Sequence, residues 1–310
     1  MSEILFTILL AVLLDRLVPD RQGFQPFLWY RDWAESIEER FNGGKRLQGV
    51  GATLLAILPI VAGVVLVRYV LGEIGWVLRF AFDVIVLYLC LDVYRLGKSA
   101  TAVAEALESG DANEANQQLR ELTGKEAPDV SEATISRIAV EAVLRQGNSL
   151  VVSPIFWFIL FGPFGAVLQR LSSILDMLWG HRYERFVEFG WAAARFDDLL
   201  GWIPARITAV SYALMGSFED ALHCWRRRIG VWSDINSGPL LASGLGAMHM
   251  QTCEISPDEN EFEERSVDLV IVPNPGHVRR AVALVWRVLL FWLAIGVLMA
   301  GAHVAGLIGA

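Results

Sequence analysis

Charge is scarce in this sequence. Asp, Glu, Lys and Arg make up only 19% of its 310 residues, against about 25% in an average soluble domain. Hydrophobic residues reach 54%, and the mean hydropathy is +0.44. Such a composition excludes a disordered chain. With 26 Lys and Arg against 34 Asp and Glu, it also offers no dominant basic face, so no nucleic-acid partner is expected. Cysteine is scarce as well. Cys90, Cys224 and Cys253 are odd in number and form no CxxC pair, which argues against a disulfide framework and a thiolate zinc site. His249 and Cys253 are spaced to share a helix face, but two unrelated residues near a loop is the preferred reading. No Walker loop, GxGxxG, HExxH or GxSxG motif occurs. Gly43-Gly44 and Gly49-Val50-Gly51 stand near basic residues without the Lys-Ser/Thr of a phosphate loop. No tandem repeat and no useful β-alternation is present, so an all-α fold is expected.

Long apolar runs dominate what is there. Val50–Gly72 carries one charge, Arg68, near its end. Trp76–Leu96 is apolar apart from Arg79, Asp83, Asp92 and Arg95, and Asp83 and Asp92 could line a polar path; packing against Arg79 or Arg95 is the simpler expectation. Gly147–Gln169 is uncharged but broken by Pro154 and Gly162-Pro163, as in a re-entrant or interrupted helix. Val288–Ala310 is long enough to span, whereas Ile4–Leu14 falls short by roughly six residues. Gly201–Met215 is weaker, with Pro204 and Arg206 inside it. The expectation is a multi-pass integral membrane protein with about four or five membrane helices. The basic residues around Arg16–Arg46 and at Arg279, Arg280 and Arg287 place those loops in the cytoplasm, with both termini on the far side. Four regions follow. Residues 1–97 are membrane helices and a basic loop, and 98–146 a cytoplasmic helical hairpin. Residues 147–278 hold a re-entrant segment and a charged core, and 279–310 a last membrane helix.

The densest polar cluster in an apolar setting runs from Ser172 to Thr208. Arg195 and Asp198 share a helix face at i,i+3. Asp176, Arg182, Glu184, Asp197 and Arg206 surround them. Guanidinium forks suit phosphate oxygens, and carboxylates such as Asp197 and Asp198 suit Mg²⁺. With Asn236, these residues form the candidate ligand-binding set. The alternative is an Arg–Asp network that only fixes helix packing.

The run from Val140 to Thr208, with its GWAAARFDD and WIPAR stretches, resembles the signature of the CobD/CbiB family, the adenosylcobinamide-phosphate synthases, and is similar to the related AmpE family. AVAEALESGDANEA before it, and WSDINSGPLLASGLGAM and NPGHVRRAV after it, extend the resemblance over most of the chain. The resemblance implies the bacterial inner membrane. Its enzyme branch joins cobyric acid to an aminopropanol phosphate with ATP, which would bring in Mg²⁺. Asp176, Arg195, Asp197, Asp198, Pro204, Arg206 and Asn236-Ser237-Gly238 match that branch. Arg145, Gln146, Ser149 and Leu150 depart from its acidic and amide pattern, as do Gly124-Lys125-Glu126-Ala127, Gln25-Pro26 and Ser173. Losing those groups removes metal and proton-transfer capacity. SYALMGSFEDALHCWRRR resembles the AmpE side. The expectation is therefore a non-synthase, AmpE-like regulatory or sensory membrane protein rather than an enzyme, with the synthase as the alternative. Its expected partners are the lipid bilayer, an anionic or phosphate-bearing ligand, and further copies of the chain.

Overall fold

The computed structural model describes residues 2–18, 26–124, 131–180, 185–228, 234–250 and 272–304. Among these residues there are thirteen α-helices, one π-helical turn and no strand. In chain order they are α1 (Ser2–Leu17), α2 (Pro26–Phe41), α3 (Arg46–Ile74), α4 (Trp76–Cys90), α5 (Val93–Glu108), α6 (Ala112–Thr123) and α7 (Glu132–Gly147). The π turn (Asn148–Val152) follows, then α8 (Ser153–Phe161), α9 (Pro163–Trp179), α10 (Trp191–Met215), α11 (Phe218–Arg228), α12 (Ser237–Ala247) and α13 (Pro275–Val304).

Among the described residues three stretches are long and apolar enough to cross a membrane: Arg46–Ile74, Glu132–Phe161 and Pro275–His303. Four or five were expected. The difference lies in α1 and α4, which fold as helices of 16 and 15 residues, below the ~20 that a hydrocarbon core requires. The interruption expected near Gly162-Pro163 is present. Gly162 adopts φ 67° and ψ −154°, which favours a residue without Cβ, and Pro163 starts α9 where a missing N–H costs nothing. Pro154 likewise sits in the first turn of α8, so it does not break that helix.

The chain divides into two compact units, each built from two separate stretches. Unit 1 comprises residues 1–92 and 149–202. Within it α4 packs on α1, α3 and α9, while α2 packs on α3 and α9 and α8 on α9. The α8–α9 approach depends on Gly165, where a Cβ would sit 2.3 Å from the Trp157 carbonyl oxygen. Asp83 is buried and pairs with Arg68, not with Arg79 or Arg95; Arg68 Nε donates to Oδ1 at 2.9 Å and Nη2 to Oδ2 at 3.1 Å. Arg79 pairs instead with Glu3 at 2.8 Å, and Asp92 with Arg170 at 3.5 Å. A carboxylate and a guanidinium that share one apolar region neutralise each other, which lowers the cost of burying both.

Unit 2 comprises residues 93–148 and 203–310. Here α5, α6 and α7 pack together, α13 covers α5 and α7, and α12 packs on α7 and α11. The α6 helix has sharp ends: Asp111 accepts hydrogen bonds from the Asn113 and Glu114 amides, and Gly124 closes it at φ 70°. Every residue of α12 is buried. Buried polar groups on α10 are satisfied within this unit. Tyr212 Oη donates to the Leu144 carbonyl at 2.8 Å, and Ser243 Oγ donates to that of Ala209 at 2.6 Å. Cys90 is buried and takes no part in a disulfide, whereas Cys224 is disulfide-bonded.

Candidate functional site

The residues singled out from sequence fall into both units, and each group has its own scaffold. Asp176, Arg195, Asp197 and Asp198 belong to unit 1, Arg206 and Asn236 to unit 2. Arg182 and Glu184 lie outside the described residues.

In unit 1, close backbone approaches fix the segment between α9 and α10. A Cβ on Gly190 would lie 1.7 Å from the Trp179 carbonyl oxygen, and one on Gly49 would lie 1.9 Å from that of Phe189. The Trp179 and Phe189 rings meet edge to face at 5.2 Å. Glu38, buried on α2, then receives Arg185 through both oxygens, Nε to Oε1 at 2.9 Å and Nη2 to Oε2 at 2.6 Å. That carboxylate pushes the Arg185 guanidinium further above its ordinary pKa. Asn42 Nδ2 also donates to Glu38 Oε1, at 2.6 Å. Arg46 pairs with Glu188 at 2.6 Å and lies 5.4 Å from the Trp191 ring centre. An open cleft of about 410 Å³ is lined by Glu38, Glu39, Asn42, Gly44 and Arg185. Arg195 and Asp198 make the expected i,i+3 contact at 3.5 Å. Asp176, Asp197 and Asp198 are half-buried. Gly180 leaves room for the first of these: a Cβ there would meet Asp176 Oδ1 at 2.1 Å.

In unit 2, Arg206 Nη1 donates to Asn236 Oδ1 at 3.4 Å. Asn236 is held by Asp234, whose carboxylate accepts from the Asn236 amide at 2.9 Å, the Ser237 amide at 3.2 Å and the Ser237 hydroxyl. This knot ties down the N-terminus of α12. Two residues after Arg206, Thr208 Oγ1 donates to Asn148 Oδ1 at 2.9 Å, both side chains being buried. Burial lowers the Arg206 pKa, because the charged form loses water. A guanidinium in that environment is suited to an anionic ligand, since its fork matches carboxylate or phosphate oxygens.

Sequence reasoning missed Glu38, Arg185, Asn148, Thr208 and Asp234. Asp234 had a signal: an acidic residue just before an Asn-Ser-Gly helix start is a helix N-terminus signature. Glu38 and Arg185 are 147 positions apart, and nothing local connects them. Among the described residues no group of three or more His, Cys, Asp and Glu side chains is arranged to hold a metal ion.

The family model for CobD/Cbib protein matches residues 8–301. The chain belongs to the CobD/CbiB family. Cobalamin biosynthesis protein CobD of Stutzerimonas stutzeri (strain A1501) is 36% identical over 298 residues, covering 94% of this chain and 97% of the relative. The protein of the same name from Chromobacterium violaceum is 34% identical over 297 residues, covering 92% and 93%. A probable cobalamin biosynthesis protein CobD from Methanothermobacter thermautotrophicus is 30% identical over 264 residues, covering 81% and 84%. No solved structure matches the chain.

These relatives overturn the regulatory, AmpE-like reading. The run that suggested it, Ser211–Arg228, has structural work in this CobD/CbiB-family fold. Tyr212 anchors α10 to α7. Ser217 and Asp220 form a capping pair at the start of α11, Oγ to Oδ2 at 2.6 Å. Ala221 lies against Gly246, where a Cβ would come within 2.9 Å of its Cα. Packing needs of this kind are shared by proteins of one fold whatever they do. The departures at Arg145 and Gln146 are likewise accommodated locally. Arg145 pairs with Glu141 at 3.5 Å, and Gln146 Nε2 donates to the Leu122 carbonyl at 2.6 Å. Arg145 therefore has its counter-charge on the same helix face, one turn back.

Proposed function

We propose that this chain is an adenosylcobinamide-phosphate synthase of cobalamin biosynthesis, acting in the bacterial inner membrane. In this reading it joins a carboxylate of cobyric acid to the amine of an aminopropanol phosphate, with ATP. The observation that carries the proposal is coverage. Relatives named for cobalamin biosynthesis align over more than nine-tenths of this chain and of their own length.

The chemistry requires three things of the protein. Phosphate charge must be neutralised, the carboxylate must be activated as an acyl phosphate, and the amine must lose a proton before it attacks and expels phosphate. Arg206, set on Asn236, supplies a guanidinium for an anionic group of a substrate. Mg²⁺ bound with nucleotide takes one or two carboxylates and the substrate's own phosphates, so it needs no three-ligand protein cage. The half-buried, hard oxygen donors of Asp176, Asp197 and Asp198 fit that ion. When bound, it would offset phosphate charge. In the same reading the membrane-spanning helices are three or more, and copies of the chain associate.

Complementation tests the proposal. Expressed in a strain lacking its own synthase, the chain restores cobalamin-dependent growth. Arg206→Ala, inserted at the same level, restores it poorly or not at all. Failure of the wild-type chain to rescue, despite normal membrane expression, removes the synthase reading.

A further inference from the structure

The α2 helix carries three faces. Tyr30, Ala34 and Ile37 point into unit 1 and are buried, with Glu38 beside them. Asp32, Glu35 and Glu39 form an exposed acidic flank. Between the two, Trp29, Trp33, Ser36 and Arg40 recur at i, i+4, i+7 and i+11, which is one stripe along the helix. Trp29 is 61% exposed and Trp33 45%, unusual for the largest side chain on a helix that already has a buried face.

The position of this stripe identifies what covers it. Only residues 42–45 separate α2 from α3, the first stretch long enough to cross a membrane, and α2 packs on α3. Lys45 and Arg46 stand where α3 begins, and Leu47 beside them is 82% exposed. A further exposed ring, Trp191, lies within 5.4 Å of the Arg46 guanidinium. Tryptophan is the side chain that settles at the headgroup level, with an apolar ring and a single polar N–H. Arg40, at the end of the same stripe, supplies a guanidinium for lipid phosphate. The carboxylates that an anionic surface would repel stand on a different flank.

We propose that α2 is an interfacial helix, lying in the headgroup layer of an anionic bilayer with the Trp29–Trp33–Arg40 stripe inserted. The helix thereby sets the depth and tilt at which α3 enters the hydrocarbon, and it holds Glu38, the partner of Arg185, at the membrane surface. The inference rests on α3 being a membrane span, and the test separates the two.

The full chain, carrying Cys90→Ser, Cys224→Ser and Cys253→Ser with one added cysteine labelled with the environment-sensitive dye NBD, is reconstituted into phosphatidylcholine vesicles containing phosphatidylglycerol. The labelled sites are Trp29→Cys, Trp33→Cys, Glu35→Cys and Leu58→Cys, each in turn, with lipid nitroxides at shallow or deep positions as quenchers. Labels at 29 and 33 are expected to emit at shorter wavelength and to be quenched most by the shallow nitroxide. The label at 35 should stay in water, and that at 58, on the exposed side of α3, should be quenched by the deep one. Labels at 29 and 33 as wet as that at 35, with 58 deep, overturn the inference alone. A wet label at 58 removes the membrane reading together with it. Cross-linking of two chains through position 29, with no quenching there, overturns the inference by assigning the stripe to a second copy.

Discussion

Replacing Gly147 by alanine sets a local preference against a tertiary constraint. In an isolated helix, alanine stabilises relative to glycine by about 1 kcal/mol. At the end of α7, however, an added Cβ would lie 2.6 Å from Tyr212 Oη and 2.6 Å from Val285 Cγ2. Forcing a methyl group into a filled site of this kind costs ~1–3 kcal/mol. With two hard contacts the upper end applies, so a net loss of about 2 kcal/mol is expected. Tyr212→Phe removes one of the two contacts, but it also deletes the hydroxyl bond to the Leu144 carbonyl. Alone it should cost about 1 kcal/mol. Combined, the two changes should be less than additive by roughly 1 kcal/mol, because the second relieves part of the strain made by the first. At about 2–4 °C of melting temperature per kcal/mol, the differences are measurable for detergent-purified protein by fluorescence-detected size exclusion after heating. Strict additivity, or a higher melting temperature for Gly147→Ala alone, would refute the reasoning.

Other changes probe the remaining scaffold. Gly49→Ala and Gly190→Ala should each abolish stable membrane expression, since the new Cβ would meet a backbone carbonyl oxygen at 1.9 Å or 1.7 Å and neither oxygen can swing away; western blots of membranes read this. Glu38→Ala should lower the melting temperature more than Arg185→Ala, because the carboxylate is buried and also holds Asn42, whereas the guanidinium is 63% exposed. Asp83→Asn should destabilise by leaving Arg68 without its counter-charge, and Arg68→Gln added to it should recover part of the loss in the same melting assay.

The helical class and two of the three long apolar stretches were legible because they are written locally. An uncharged run of sufficient length, a Gly-Pro break and an Asp cap each act through near neighbours. Hydropathy alone does not distinguish α4, fifteen residues long, from a full span. The site was legible in fragments. Arg195 with Asp198, and Asn236 at the start of α12, follow from spacing and from family resemblance. The pairing of Glu38 with Arg185 and of Thr208 with Asn148 came only from the fold, because each joins stretches distant in sequence. The functional misreading arose from giving a few departures, Arg145 and Gln146 among them, more weight than the match along the rest of the chain. Glu141 and the Leu122 carbonyl make both substitutions locally acceptable.

The interleaved chain path has a consequence for biogenesis. Unit 1 begins with residues 1–92 and is finished only by residues 149–202, while unit 2 opens at residue 93 and closes with α13. A ribosome that has delivered α1–α4 has therefore delivered an incomplete bundle. Its Asp92 carboxylate waits for Arg170, and its Glu38 for Arg185, until another hundred or so residues have followed. Nascent α1–α4 must then be sheltered by the insertion machinery or by lipid while the first part of unit 2 is made. Cutting the chain between α7 and α8 leaves two pieces, neither of which contains a whole unit. Co-expressed halves split there should be degraded unless they find each other during synthesis.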